Sequence, residues 1–148
     1  VNLKYVINDE RIFFSNYNSI KAQNFHSHDQ ISAVIFWNKT NVQIRMKAKI
    51  KKTSPEFSDK HFNGRTPEKN ALAIASNQSM PIDSYEQIIE KHRSVINENN
   101  ELKRPDYWGG FSFKPYYFEF WEGNTSRINK RIIYEYTKNS WKKSFLQP

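Results

Sequence analysis

The stretch Pro105–Asp106–Tyr107–Trp108–Gly109–Gly110–Phe111, continued by Tyr116–Tyr117–Phe118–Glu119–Phe120–Trp121, decides how the chain is read. Aromatic rings dominate it, and rings favour the half-buried surface of a pleated sheet. Asp106 followed by Trp108–Gly109–Gly110 reads as an exposed-looking turn, with the glycines serving backbone geometry and Trp108 packing against the body of the fold or a partner chain. Beyond the rings, a polar loop from Gly123 to Arg131 leads into two alternating segments, Arg131–Tyr136 and Trp141–Leu146. Alternation with period 2 is the mark of strands. Arg127 and Arg131 belong to a Gly/Asn/Thr/Ser loop where it meets a strand, a position from which guanidinium groups can grip an anion at two points.

Upstream, Val42, Ile44, Met46, Ala48 and Ile50 alternate with Gln43, Arg45, Lys47, Lys49 and Lys51, predicting a strand with one buried and one polar face. Ile31–Trp37 is densely apolar and reads as a central strand. Leu3–Ile7 and Arg11–Phe14 flank Asn8–Asp9–Glu10, a hairpin signal. Short helices are predicted after Asn16 or Ser19, from Ser54–Pro55 to Asn63–Gly64, and from Thr66–Pro67 over Ala71–Ala75. Ser84 caps another, Tyr85 to about Ile96, before a polar break at Asn97–Asn100. The result is a mainly β chain with short helices, an α+β class. It fits a small barrel with helices across its openings. No Gly-x-Gly-x-x-Gly follows a strand, so a Rossmann unit does not fit.

The 148 residues suffice for one domain with one core. Eleven Phe, eight Tyr and four Trp point to sheet packing or a planar ligand rather than a helical bundle. No apolar run approaches the roughly eighteen residues of a membrane span. Without cysteine there is neither a disulfide framework nor thiolate chemistry. No signal-peptide pattern opens the chain, so a cytoplasmic protein is expected. The net charge of +8 invites a nucleic-acid reading, but the lysines are dispersed and form no stripe on a helix. A phosphorylated small molecule accounts for the charge better, and neither nucleic acid nor membrane is expected as a partner. His26-x-His28 lacks a third ligand, so no metal is expected, and no Ser–His–Asp arrangement supports hydrolase chemistry.

Taken in order, Pro105–Asp106–x–Trp108–Gly109–Gly110–Phe111, Pro115, Glu119–Phe120–Trp121, Arg127, Arg131, Trp141 and Leu146–x–Pro148 resemble the C-terminal signature of the pyridoxamine/pyridoxine 5′-phosphate oxidases. Earlier segments match that family in the same order, over nearly the whole chain. The resemblance implies an FMN-binding split β-barrel, antiparallel and Greek-key-like. It implies one domain over residues 1–148 that lacks the family's N-terminal extension, and a homodimer with FMN at the subunit interface.

Phe14–Ser15–Asn16–Tyr17–Asn18–Ser19–Ile20–Lys21 resembles the family's Phe–Thr–Asn–Tyr–x–Ser–Arg–Lys, which implies Lys21 at the FMN phosphate with Tyr17 and Ser19 beside it. Ile20 stands where the family has an arginine, and another family arginine falls before Val1. Val42–Gln43–Ile44–Arg45 resembles Arg–Gln–Val–Arg, so Gln43 is implied as the amide at the flavin ring. Ser76–Asn77–Gln78–Ser79 matches Ser–x–Gln–Ser, which carries Gln78 and Ser79 to the FMN site. Trp121 and Arg131 are implied to reach the cofactor of the partner subunit. Lys4, Arg65 and Arg127 match residues that bind the pyridoxal-type substrate. Three substitutions stand on that side: His61 replaces a phosphate-binding tyrosine, Lys69 a serine, and Asn129 the active-site histidine. Asn129 can hydrogen-bond but cannot shuttle a proton at neutral pH.

The implied activity is oxidation of pyridoxamine or pyridoxine 5′-phosphate to pyridoxal 5′-phosphate. Hydride passes from substrate C4′ to flavin N5, oxygen reoxidises the flavin, and Arg127 and Asn129 occupy the catalytic positions. Two alternatives stand beside it: a related FMN oxidoreductase with another substrate, as in phenazine formation, and a degenerate, non-catalytic binder of flavin or vitamer phosphate.

Overall fold

The computed structural model describes residues 1–98 and 101–148. Its elements run β1 (Leu3–Ile7), β2 (Glu10–Asn16), α1 (Ile20–Ser27), β3 (Gln30–Trp37), β4 (Val42–Lys52), α2 (Pro55–Asn63), α3 (Pro67–Ala75), α4 (Tyr85–Glu98), β5 (Trp108–Glu122), β6 (Lys130–Thr137) and β7 (Ser140–Leu146). The seven strands form one antiparallel sheet around β5. β4 follows one edge of β5 from Phe111 to Glu122. The other edge is shared end to end: β2 pairs with Trp108–Phe113 and β6 with Tyr117–Glu122. β1, β3 and β7 lie outside β2, β4 and β6 respectively.

A register slip between β4 and β5, at Lys47/Ala48 opposite Pro115–Tyr117, gives the sheet its core. Pro115 has no N–H to contribute to a ladder, and one extra residue re-phases the strand. Phe111 and Phe113 before the slip therefore share a face with Phe118 and Phe120 after it, opposite Ile50, Met46 and Ile44. On that face Phe13, Phe111, Phe113, Ala48 and Ile50 pack together under Ala22 and Phe25 of α1. Ser54 caps α2, its hydroxyl accepting the Phe57 N–H at 3.2 Å, with Pro55 in the first turn. Asn8 and Asp9 turn the first hairpin at φ 48° and 66°, values that asparagine and aspartate tolerate better than most residues. No helix among the described residues is long and apolar enough to cross a membrane.

The structure corrects several expectations. The sheet does not close into a split barrel. Because β2 and β6 occupy the same edge of β5, the sheet forks, and β1, β3 and β7 each pair on one side only. With helices of up to 14 residues beside the open antiparallel sheet, the fold is mixed α/β rather than mainly β. β3 is an edge strand rather than a central one, and Val34 to Trp37 are each more than 40% exposed. Apolar density alone does not distinguish a covered strand from an uncovered one. Trp108–Gly109–Gly110 is not an exposed turn but the buried start of β5, with Trp108 only 8% exposed. α4 continues through Asn97 and Glu98, while Asn99–Asn100, the rest of the expected break, lie outside the described residues.

The glycines at this strand start are sites of close approach. A Cβ on Gly109 would lie 2.8 Å from Tyr17 Cζ and 2.9 Å from Ser58 Oγ. Gly109→Ala is expected to cost about 1–3 kcal/mol through overpacking, read as a lowered urea midpoint with an unchanged slope.

Candidate functional site

Two groups of polar side chains stand at opposite ends of the 15-residue β5. A straight strand of that length spans about 45 Å.

The first group surrounds a cleft of about 280 Å³, with Phe14 and Trp108 in its wall and Lys4, His61, Arg65, Lys69 and Gln78 around it. At its edge the Lys21 ammonium lies 3.3 Å from Ser15 Oγ, 3.4 Å from Ser19 Oγ and 3.4 Å from Gln78 Oε1. Gln78 Oε1 also accepts from the Ser15 hydroxyl at 2.8 Å and from the Asn16 N–H at 3.3 Å. Ser15 and Ser19 are buried. An ammonium, a hydroxyl and a backbone N–H converging on one acceptor are the donor types that hold a phosphoryl group. The local sequence explains the convergence: β2 ends at Asn16, Ser19 precedes α1, and Lys21 occupies its first turn.

His61 lies flat on Phe14, ring centroids 3.6 Å apart and planes 11° apart, with the Tyr5 hydroxyl 2.8 Å from its Nδ1. Burial first, then the charges of Arg65 and Lys4, push its pKa down to about 4, so the ring is neutral at physiological pH. Arg65 stacks its guanidinium 4.4 Å over Trp108, and one terminal nitrogen donates to the Lys69 carbonyl at 2.6 Å. The other terminal nitrogen is buried without a hydrogen-bond partner. An unmet buried donor is costly, and an anion would satisfy it. These residues fit a phosphate group such as that of FMN.

The second group crosses three strands. Gln43, Trp121 and Arg131 are register partners on β4, β5 and β6, and Arg45 and Glu119 form the next pair along. Glu119, 5% exposed, accepts from Arg131 Nε at 2.7 Å and from an Arg45 terminal nitrogen at 3.2 Å, with the Tyr117 hydroxyl 3.4 Å away. Arg45 Nε donates to Gln43 Oε1 at 2.5 Å, and Arg131 also reaches the Gln147 carbonyl at 3.0 Å. Gln43 thus stands with Trp121 and Arg131, not with Lys21. Its amide nitrogen has no hydrogen bond among the described residues.

The side chains of the other expected site residues make no hydrogen bond to either group among the described residues. Tyr17 is committed to the core, its ring edge-on to Phe111 at 5.2 Å and its hydroxyl 3.4 Å from the Gly110 carbonyl. Ser79 turns the chain beside Gln78 at φ 70°. Arg127 (φ 67°) and Asn129 remain in the β5–β6 loop, where Asn129 Oδ1 accepts the Asn124 N–H at 3.0 Å. Sequence reasoning passed over Ser15, Trp108 and Glu119. Glu119 carried a usable signal: a carboxylate sharing strand parity with Tyr117 and Trp121 needs cationic partners when covered.

Desolvation raises the Glu119 pKa, but the hydrogen bond and charge of Arg131, with Arg45, outweigh it and hold the carboxyl below its ordinary range. A depressed carboxylate pKa contributes stability that is present above the unfolded value and lost as pH falls through the folded one. Glu119→Gln is therefore expected to flatten the acid limb of the stability–pH curve and lower stability at pH 7, measured by urea melts across that range.

A family model described as the pyridoxine 5′-phosphate oxidase C-terminal dimerisation region matches residues 108–148. A pyridoxine/pyridoxamine 5′-phosphate oxidase of Leptospira biflexa is 34% identical over all of this chain and 71% of its own length. One of Cytophaga hutchinsonii is 37% identical over 91% of this chain and 64% of its own. The crystal structure of PhzG from Burkholderia lata, in complex with tetrahydrophenazine-1-carboxylic acid, matches at TM-score 0.87 and 25% identity, covering 99% of this chain and 72% of that one. A pyridoxamine 5′-phosphate oxidase-related FMN-binding protein of Nostoc punctiforme shares the fold at TM-score 0.71 and 11% identity, over 99% of this chain and 77% of that one. The chain belongs to the pyridoxamine/pyridoxine 5′-phosphate oxidase and PhzG-like family of FMN-binding proteins.

Proposed function

We propose that this protein is an FMN-dependent oxidase of pyridoxamine or pyridoxine 5′-phosphate that works as a homodimer. The observation that carries the reading is the convergence of Lys21 on Ser15, Ser19 and Gln78 beside the cleft of Arg65, Lys69 and Lys4. When bound, FMN supplies the hydride acceptor and passes its electrons to oxygen.

Lys21, Ser15, Ser19 and Gln78 would hold the cofactor phosphate. Arg65 would hold the substrate phosphate through its unpartnered nitrogen, with Lys4 and Lys69 adding charge. Gln43, with a free amide N–H, and Arg131, held by Glu119, would line the polar edge of the ring, and Trp121 beside them its apolar border. Positioning is what these residues contribute, and positioning can supply a large part of a rate enhancement. The two groups stand at opposite ends of β5, so a second copy brings one chain's phosphate-binding end to the other's ring-binding end. Exposed Trp141, Phe145 and Leu146 on β7, within the segment matched by the dimerisation-region model, are consistent with that arrangement.

A second reading keeps FMN and changes the substrate. Asn129, whose amide oxygen closes its own loop, and the likeness to PhzG favour it.

The purified protein is expected to be yellow and to release peroxide on addition of pyridoxamine 5′-phosphate but not of pyridoxamine. Flavin without peroxide from either ester would favour the second reading. A chain that takes up no FMN would point to a non-catalytic relative. Lys21→Ala should weaken FMN binding about 10–100-fold, the scale of one charge-assisted hydrogen bond. Arg65→Ala should raise KM for the ester by a similar factor and leave flavin content unchanged.

A further inference from the structure

His61 lines the cleft and is hydrogen-bonded to Tyr5, and the reading above leaves this pair without a role. We infer that Tyr5 fixes His61 as the Nε2–H tautomer, which makes the imidazole a hydrogen-bond donor to a phosphate ester in the cleft. The inference rests on the reading of the cleft as a phosphate-ester site.

The Tyr5 hydroxyl lies 2.8 Å from His61 Nδ1, and the two rings meet edge to face at 5.4 Å and 86°. A phenol is a good donor and a poor acceptor, whereas a bare imidazole nitrogen is a strong acceptor. The hydroxyl therefore donates, Nδ1 keeps its lone pair, and the ring proton belongs on Nε2. Ring orientation is fixed as well. His61 is stacked on Phe14 at 3.6 Å, Trp108 lies nearly parallel at 6.3 Å, and Phe57 is edge-on to Tyr5 at 5.7 Å. Among the described residues Nε2 makes no hydrogen bond, so it is the ring's one polar atom left for the cleft it lines.

The charges around the ring agree. Lys4 comes from β1, Arg65 from the turn after α2 and Lys69 from α3, while β2 and β5 present the rings of Phe14 and Trp108. No carboxylate among the described residues forms an ion pair with His61. An imidazolium would therefore face cations without a counter-charge, which matches its pKa near 4. With the cleft free of an anion the ring is neutral across the neutral range, so His61 meets an incoming phosphate as a neutral N–H donor. Tyr5 acts through His61 and is a positioning residue.

The test is long-range ¹H–¹⁵N correlation of the ¹⁵N-labelled protein at pH 7, with the His61 ring assigned by its absence in His61→Gln. Wild type is expected to show a protonated Nε2 and a bare Nδ1. Tyr5→Phe, which keeps the ring and removes the hydroxyl, should shift the ring toward the Nδ1–H tautomer. Titration with inorganic phosphate should move the His61 Nε2 resonance. His61→Leu should weaken phosphate binding about tenfold, on the scale of one hydrogen bond to a charged group. His61→Gln, whose amide nitrogen reaches as far as Nε2, should restore most of that loss. An Nδ1–H or doubly protonated ring in wild type, an unchanged tautomer in Tyr5→Phe, or an Nε2 resonance indifferent to phosphate would each overturn the inference. None of these readouts needs flavin or turnover. A failed oxidase assay beside the expected spectra would retire the reaction and leave the tautomer standing.

Discussion

A β-strand has two edges, and in β5 one edge serves β4 while β2 and β6 divide the other. That division shapes the molecule. Since β2 and β6 are placed end to end, the sheet forks, and β1, β3 and β7 are each left with one unpaired edge. The same strand carries the rings of the core on one face, kept in phase by the slip at Tyr116, and the paired charges around Glu119 on the other. It also holds the two polar groups apart. Trp108 belongs to the cleft at one end and Trp121 to the row of Gln43 and Arg131 at the other.

The two ends solve opposite electrostatic problems. Around Glu119 a covered carboxylate draws two guanidinium groups into fixed positions. Around His61 three basic side chains gather, and no acid is among the described residues that line the cleft. Such a gathering opposes folding unless solvent or an anion offsets it. Aromatic walls lessen the cost: Arg65 lies over Trp108, where a delocalised, weakly hydrated cation is accommodated better than a lysine ammonium would be.

Local patterns in the sequence were enough to locate most elements. The alternation from Val42 to Ile50, the Asn8–Asp9 turn, and the Ser54–Pro55 and Thr66–Pro67 helix starts all appear near the predicted positions. These signals depend on chain neighbours alone. What the sequence did not reveal depends on distant partners: whether an apolar strand such as β3 is covered, whether Trp108 is inside, whether the sheet closes. The candidate site divides in the same way. Lys4, His61, Arg65, Lys69 and Gln78 do line one cleft, but Gln43 stands with Trp121, because strand pairing rather than order along the chain decides its neighbours. Glu119 was hidden because a lone glutamate among rings looks like an exception until its two arginines, 74 and 12 residues away, are seen beside it.

The uncovered outer edge of β3 has a consequence for the life of a single chain. Val34, Ile35, Phe36 and Trp37 lie along a strand whose outward amides and carbonyls have no partner strand among the described residues. No proline or bulge interrupts its pairing with β4, and it carries no charged residue to repel a neighbour. Strands of that kind recruit others and seed aggregates. For a newly made chain this edge is therefore the part of the sheet most open to pairing with another chain.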